Sequence, residues 1–146
     1  MKESVRKLFF APSENSVGTD IGLLVLRVAA GLMLAFGHGL GKLPPSEKFI
    51  AGVGGLGFPV PVFFAWAAAL SEFAGGILVA TGFLTRPAAF FVMMTMGTAA
   101  FLQHAADPFP VKEKALLFLS IAICVLLAGA GRYSIDRLMA RRSRNQ

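Results

Sequence analysis

The residues best able to do chemistry are ionisable side chains within or beside long apolar segments of this 146-residue sequence: Arg27, His38, Lys42, Glu72, His104 and Glu113. Ionisable groups are costly to place in apolar surroundings, so they usually face the interior of a helix bundle or a water-filled cavity. Histidine exchanges protons near neutral pH, and arginine and lysine donate hydrogen bonds. This set therefore suits a ligand that accepts hydrogen bonds and protons, such as a quinone head group.

The apolar segments that carry these residues are long enough to be membrane spans. Hydrophobic residues make up 55% of the sequence and charged residues 15%, whereas soluble domains average about 25% charged residues. About 20 residues of helix cross a hydrocarbon core of roughly 30 Å. Four segments reach or approach that length, the fourth if Lys112 and Lys114 snorkel: residues 21–41, 62–83, 87–106 and 115–131. The sequence therefore predicts an all-α fold, a four-transmembrane-helix bundle.

The distribution of positive charge predicts the orientation of these spans. Four spans place both termini in one compartment, and that side would hold nine Lys and Arg residues against four on the other. Because these residues are enriched on the cytoplasmic side, both termini are predicted to be cytoplasmic. The first segment is predicted to be retained rather than cleaved as a signal peptide. It is longer than a typical apolar signal core of about 7–15 residues, and Arg27 interrupts it.

A short interfacial helix is predicted between the first two spans. Ser46 is a typical helix cap, and Phe49, Ile50 and Val53 form a short apolar face after it. A glycine-rich stretch at residues 54–57 would end this helix. We expect it to lie in the outer interface, over the mouth of the bundle.

The spacing of the polar residues predicts which of them meet. Arg27 and His38 are 11 residues apart, which is about three helical turns, so they share a face of the first span. Glu72 is flanked on the second span by small residues, which let a neighbouring helix approach closely. Counted from the predicted span ends, Arg27 and Glu72 differ in depth by about 5 Å. We therefore predict a buried ion pair between them, which could fix helix register or act in ligand or proton chemistry.

Four of the six residues are predicted to gather at the outer mouth of the bundle: His38, Lys42, His104 and Glu113. Two histidines and a carboxylate bind a metal only in the right geometry. Histidines near a membrane interface more often form hydrogen bonds, so we predict no metal site. All six residues are candidate ligand-binding residues, and the sequence identifies no catalytic residue.

The remaining segments are predicted to have supporting roles. The single cysteine, Cys124, excludes an internal disulfide and is predicted to pack on a face of small residues. The basic tail directly follows the last span, so contact with anionic lipid headgroups is favoured over nucleic acid. The predicted organisation is a cytoplasmic N-terminal segment at residues 1–19, a four-helix membrane domain at 20–137 and the cytoplasmic tail at 138–146.

A series of short motifs runs along nearly the whole chain: Arg27-x-x-x-Gly31, His38-Gly39-x-x-Lys42, Glu72-x-x-Gly75-Gly76 with Gly82 and Arg86, His104, Glu113, and Gly129-x-Gly131-x-x-Ser134-x-Asp136. In order and spacing they resemble the DoxX family of small bacterial four-helix membrane proteins. That family is named for its relationship to the membrane subunit of a thiosulfate:quinone oxidoreductase, and some members are membrane partners of soluble redox enzymes. The resemblance implies a multi-pass protein of the bacterial cytoplasmic (inner) membrane.

The resulting prediction is an integral membrane protein of redox metabolism. It would contact a quinone or another small ligand as the membrane partner of a soluble or membrane oxidoreductase, rather than being a complete enzyme. The sequence carries no motif for haem, flavin or an iron–sulfur cluster, so electron transfer would need a partner or a bound quinone. The alternative is a non-catalytic membrane scaffold or adaptor for other proteins, with a purely structural ion pair. A homo-oligomer is left open.

Overall fold

The computed structural model describes residues 17–144, and all the regular secondary structure in that part of the chain is helical, which confirms the predicted all-α class. It contains six α-helices: α1 (Val17–Leu34), α2 (Glu47–Gly55), α3 (Pro61–Thr81), α4 (Thr85–Thr98), α5 (Phe109–Ala128) and α6 (Ile135–Arg144). A π-helical turn at Ala35–Gly39 and a 3₁₀ turn at Leu40–Lys42 extend α1, and a π-helical turn at Ala99–Gln103 extends α4. With these extensions, α1, α3, α4 and α5 are the four long helices of residues 17–144.

Local sequence signals account for several helix ends. Ser46 caps α2 as predicted, because its Oγ accepts a hydrogen bond from the Phe49 N–H at 3.3 Å. Helix α3 begins at Pro61, where the missing N–H of proline would have no intrahelical acceptor in any case. It ends at Gly82, whose φ of +71° is in the left-handed region that glycine adopts without strain.

The four long helices pack in a ring. Helix α1 contacts α3, α3 contacts α4, α4 contacts α5, and α5 returns to α1, while α2 lies against α3. We call the end at which α1 and α4 finish the outer end, and the opposite end the inner end. Two clusters of buried residues fill the core: Leu34, Val92, Met96 and Ala122 in one, and Val79, Ala88, Ala89 and Val125 in the other.

Glycines allow α1 and α3 to approach backbone to backbone. A Cβ atom placed on Gly31 would lie 2.5 Å from the Gly76 carbonyl oxygen and 2.8 Å from the Ala80 nitrogen. A Cβ on Gly76 would in turn lie 2.7 Å from the Gly31 carbonyl oxygen. Real Cβ atoms do not tolerate such distances to backbone atoms, so α1 and α3 would have to separate to accept even a methyl group.

We expect Gly31→Ala to lower the free energy of unfolding by about 1–3 kcal/mol, the usual cost of overpacking a close contact. Gly22→Ala is the matched control on the same helix, because nothing lies within 4 Å of its added Cβ. That control should be neutral, or stabilising by up to about 1 kcal/mol. Unfolding in mixed micelles can be followed by the fluorescence of Trp66, the only tryptophan in the sequence. Equal effects at the two positions would contradict the close crossing.

The outer faces of the long helices carry large apolar side chains. Val25 on α1, Phe63 on α3, Phe91 on α4 and Leu127 on α5 are 59%, 63%, 60% and 74% exposed. Soluble monomers rarely expose apolar patches of more than a few hundred Å². Two segments, Val17–Lys42 and Pro61–Thr81, are long and apolar enough to cross a membrane. The exposed surface is therefore of the kind that faces lipid.

The structure differs from the sequence predictions near the C-terminus. Helix α5 begins at Phe109 and not near residue 115, so Lys112 lies within its first turns. The predicted boundary at 137/138 falls inside α6. The predicted packing role of Cys124 is wrong, because this residue is exposed. The small residues of α5 therefore do not all face the core, and this part of the helix turns Cys124 outward.

Candidate functional site

Arg27 is completely buried near the inner end and binds two main-chain carbonyl groups. Its Nη1 donates to the Val79 oxygen at 3.0 Å, and its Nη2 donates to the Tyr133 oxygen at 2.8 Å. The first acceptor belongs to the last turn of α3, and the second to the turn between α5 and α6. Within the described residues, Arg27 Nε has no hydrogen-bond partner. Arg27 thus connects three parts of the chain that are far apart in sequence.

The predicted ion pair between Arg27 and Glu72 is wrong, because Glu72 is paired with Lys42. The Lys42 Nζ lies 2.5 Å from Glu72 Oε1 and 2.6 Å from Oε2, so the ammonium group contacts both carboxylate oxygens. Both residues were predicted site residues, but they were not predicted to meet.

Helix register explains the different pairing. Gly31 lies against Gly76, and a Cβ on Gly39 would collide with the backbone of Glu72. Glu72 is therefore level with Gly39, whereas Arg27 is level with the end of α3. At 1.5 Å per residue, Arg27 and Glu72 are separated by about 14–18 Å along the helix axes. The depth estimate from the sequence was misplaced by about two helical turns.

The Lys42–Glu72 pair combines a buried anion with a partly exposed cation. The Glu72 side chain is 2% exposed and the Lys42 side chain is 35% exposed. The Lys42 Nζ also lies 5.6 Å from the centre of the Phe49 ring of α2, within the range of a cation–π contact. The pair therefore offers a hydrogen-bond donor beside an aromatic ring at the outer end, with a fixed negative charge behind it.

His38 lies on the π-helical turn that extends α1. Its ring packs edge-on against Phe118 of α5, with ring centres 5.5 Å apart and planes at 76°. Gly39, the next residue, lies directly against the backbone of α3. His38 is thus at the outer half of the contact between α1 and α5, on the same chain turn that leads to Lys42.

His104 and Glu113 lie at the outer end, where α4 and α5 are joined, but in separate surroundings. His104 Nδ1 is 2.7 Å from Asp107 Oδ2 in the same connection. Lys112 Nζ donates to the Ala105 carbonyl oxygen at 3.0 Å and so closes this connection against α5. Glu113 is exposed. Of the four residues predicted at the outer mouth, Lys42 has its ion pair with Glu72, and His104 contacts Asp107.

A network of hydrogen bonds at the inner end centres on Asp136, a residue outside the predicted site. Its Oδ1 accepts from the Leu84 N–H at 2.9 Å, and its Oδ2 accepts from the Thr85 N–H at 3.0 Å and from Thr85 Oγ1 at 2.8 Å. Burial by itself would raise the pKa of Asp136, but these hydrogen bonds and the charge of Arg27 hold the pKa below its ordinary value. Asp136 therefore caps α4 while belonging to the first turn of α6.

The turn before α6 fits closely against its neighbours. Ser134 Oγ donates to the Gly131 oxygen at 2.8 Å and accepts from the Arg137 N–H at 3.2 Å, so it caps α6. A Cβ on Gly82 would lie 2.6 Å from the Ser134 Cβ. Gly131 has a φ of +73° and lies against Leu23 of α1. The motif residues from Gly129 to Asp136 thus build the inner end, a role that their spacing alone did not indicate.

Two cavities bear on where a ligand could bind. A crevice of about 20 Å³ lies inside the ring, between residues such as Leu34, Val92 and Phe118. A cleft of about 820 Å³ lies at the inner end, beside Arg86 and α6. Neither cavity is lined by His38 or His104. In residues 17–144, no three His, Cys, Asp or Glu side chains are arranged as metal ligands.

Comparisons with known proteins identify relatives along nearly the full length of the chain. The model of the DoxX family matches residues 22–105. The chain is 31% identical over 132 residues to "Inner membrane protein YqjF" of Escherichia coli, covering 84% of this chain and 95% of that protein. It is 32% identical over 127 residues to "Putative oxidoreductase CatD" of Bacillus subtilis, covering 86% and 92%. No solved structure matches the chain.

Proposed function

This chain belongs to the DoxX family, and we propose that it spans the bacterial inner membrane four times, with both termini in the cytoplasm. The exposed apolar side chains on all four long helices support this arrangement. Helix α4 with its π-helical turn covers 85–103 and carries one charge, Arg86, at its start. Helix α5 carries its charged residues within its first two turns, which leaves 115–128 apolar. The helix α2 would lie in the outer interface.

Reporter fusions test this topology. Fusions after Phe83 and at Gln146 should report the cytoplasm, because lysine and arginine are concentrated on that side. Fusions after Phe49 and after Pro108 should report the outer side. A cytoplasmic signal at either outer position, or an outer signal at either cytoplasmic position, would contradict four spans.

In function, the protein contacts the head group of a membrane quinone or a similar small polar ligand at its outer end. The observation that carries this proposal is the Lys42–Glu72 pair, with its partly exposed ammonium and its buried carboxylate. An ammonium group donates hydrogen bonds to a carbonyl oxygen, and the rings of Phe49 and Phe118 offer apolar surface for an aromatic head group. His38 supplies an imidazole ring that can donate or accept a hydrogen bond.

The residues fit such a head group at the mouth and not in the interior. Ligand pockets are usually about 300–1,000 Å³, far more than the 20 Å³ crevice between the helices. A quinone would supply the redox chemistry when bound. Lys42 would hold its carbonyl oxygen, Glu72 would keep Lys42 in place, and Arg27, at the inner end, would act only on the packing of the helices.

The protein acts as the membrane partner of a soluble or membrane oxidoreductase. Support comes from the similarity of the chain to "Putative oxidoreductase CatD" of Bacillus subtilis. The chain's own contribution is to bind and orient the ligand, with His104 and Glu113 at the rim of the same end.

Quinone content per mole of protein, measured by mass spectrometry after purification in mild detergent, tests the ligand proposal. His38→Ala or His104→Ala should lower quinone retention several-fold without changing the thermal unfolding of the protein, since both residues are only partly buried. Lys48→Ala is the matched control, because Lys48 is exposed on α2 and has no contact with Glu72.

A scaffold would give a different result. If no variant and no wild-type sample retains quinone, even after reconstitution with an excess, the ligand proposal is wrong and the scaffold interpretation replaces it. In that case substitutions at the surface, such as Arg141→Ala or Arg142→Ala, should disturb the recovery of partner proteins, whereas His38→Ala should not.

A further inference from the structure

The inner end carries an open cleft of about 820 Å³ with a strongly basic lining. It lies between the start of α4, the turn that follows α5, and α6. Four arginines line it: Arg86, Arg132, Arg137 and Arg141. They come from separate parts of the chain, because Arg86 follows α3 whereas the other three lie in or before α6. The cleft is therefore a product of the fold and not of the basic tail alone.

Neither of the two carboxylates of this cleft forms a side-chain ion pair with its arginines in the described residues. Asp136 is engaged by the N–H groups of Leu84 and Thr85, and by Thr85 Oγ1. Asp20 accepts a hydrogen bond from the main-chain N–H of Arg132 at 3.3 Å. Across residues 17–144, none of the four guanidinium groups makes a hydrogen bond or an ion pair with another side chain. Four arginines and two aspartates leave the lining with a net charge of +2, and the guanidinium groups are available to a ligand.

Arg86 lies beside the turn at Gly129. An ideal Cβ on Gly129 would lie 3.5 Å from Arg86 Nε, 3.6 Å from its Nη2 and 4.0 Å from its Cζ, so an edge of the guanidinium group is at van der Waals distance from this part of the turn. Gly129 has a φ of +78°, which a residue with a side chain rarely adopts. The turn therefore passes close to Arg86, which also lines the cleft.

We propose that this cleft is a binding site for a phosphate-bearing anion. Guanidinium groups bind phosphate oxygens through two parallel hydrogen bonds, and several arginines around one cleft are the typical arrangement for this ligand. The volume accommodates a phosphorylated head group or a small phosphorylated metabolite. The phosphate could belong to an anionic phospholipid of the cytoplasmic leaflet or to a soluble metabolite, because both present the same chemistry to the arginines. The site lies at the opposite end from the proposed quinone contact and is independent of it.

Binding to the whole protein in a neutral detergent tests the proposal. Native mass spectrometry should detect phosphatidylglycerol in clear excess over phosphatidylcholine if the source is lipid. Glycerol 1-phosphate and inorganic phosphate should raise the temperature of unfolding, followed by Trp66 fluorescence, if the source is soluble. Arg86→Gln should weaken whichever binding is observed by about tenfold, the effect of one lost charged hydrogen-bond pair.

Two further variants make the result decisive. Arg137→Gln should weaken binding to a similar extent, and it serves as the second test if Arg86→Gln does not fold. Arg142→Gln removes the same charge from the exposed face of α6, outside the cleft, and should change binding by less than twofold. Equal losses of binding affinity in Arg86→Gln and Arg142→Gln would indicate nonspecific electrostatic attraction and would overturn the proposal. So would the absence of any preference for phosphatidylglycerol together with no effect of either phosphate.

Discussion

Replacing Arg27 by methionine should lower the free energy of unfolding by about 2–4 kcal/mol. The guanidinium group makes two hydrogen bonds to carbonyl oxygens, at 3.0 Å to Val79 and 2.8 Å to Tyr133. A hydrogen bond to a charged group contributes about 1.5–3 kcal/mol, and removal of the buried charge offsets part of the loss. Arg27→Lys should restore less than half of the lost stability, because an ammonium group lacks the planar fork that reaches both acceptors.

A local readout separates this role from a general loss of stability. Arg27 holds the turn between α5 and α6 through the Tyr133 carbonyl group, so Arg27→Met should speed tryptic cleavage after Arg132 several-fold under native conditions. Arg142→Met is the matched control, because it removes an exposed arginine from α6, and its effect on stability should stay within about 0.5 kcal/mol. If Arg27→Met behaved like this control in both measurements, the assigned role of Arg27 would be wrong.

Helix ends could be predicted from the sequence because they depend on residues that are adjacent in the chain. Ser46 has the side-chain oxygen that a helix start needs, and the structure confirms it as the cap of α2. The pattern of charges predicted the second span at residues 62–83, which agrees within two residues at each end with α3, Pro61–Thr81. The sequence placed Lys112 and Lys114 at the snorkelling end of the fourth span, and the structure includes both in the first two turns of α5, which begins at Phe109.

The pairing between helices could not be predicted in the same way. It depends on helix register, which Gly31 and Gly39 determine by allowing close contact with α3. A shift of two turns exchanges one partner for another, so Glu72 meets Lys42 and not Arg27. A count of residues from assumed membrane edges carries an error of this size. The small residues were recognised, but their partners on the facing helix were not.

The inner network escaped prediction for a different reason. Main-chain carbonyl groups, such as the acceptors of Arg27 at Val79 and Tyr133, have no signature in a sequence. Asp136 caps the start of α4 although Leu84, whose N–H donates to it, is 52 residues earlier in the sequence. The sequence around Asp136 indicates only the start of α6. The available signal was Ser134-x-Asp136 after two glycines, which marks a helix start without identifying the second helix that it serves.

Lys42→Met should lower the free energy of unfolding by about 3–5 kcal/mol, because it leaves the Glu72 carboxylate buried without its cation. Glu72→Gln should cost less, since the Lys42 side chain is 35% exposed and its ammonium group can turn toward water. The stability of each variant can be measured by Trp66 fluorescence in mixed micelles. Lys48→Met, an exposed lysine on α2, should change stability by no more than about 0.5 kcal/mol.

Double-mutant cycles then identify the true partner of Glu72. The cycle of Lys42→Met with Glu72→Gln should show a coupling of about 1–3 kcal/mol, because the two side chains are in direct contact. The cycle of Arg27→Met with Glu72→Gln should be additive within about 0.5 kcal/mol, since these residues are separated by about 14–18 Å along the helices. The reverse pattern would restore the Arg27–Glu72 pair that the sequence predicted, and it would place the register of α1 against α3 two turns away from that of the structure.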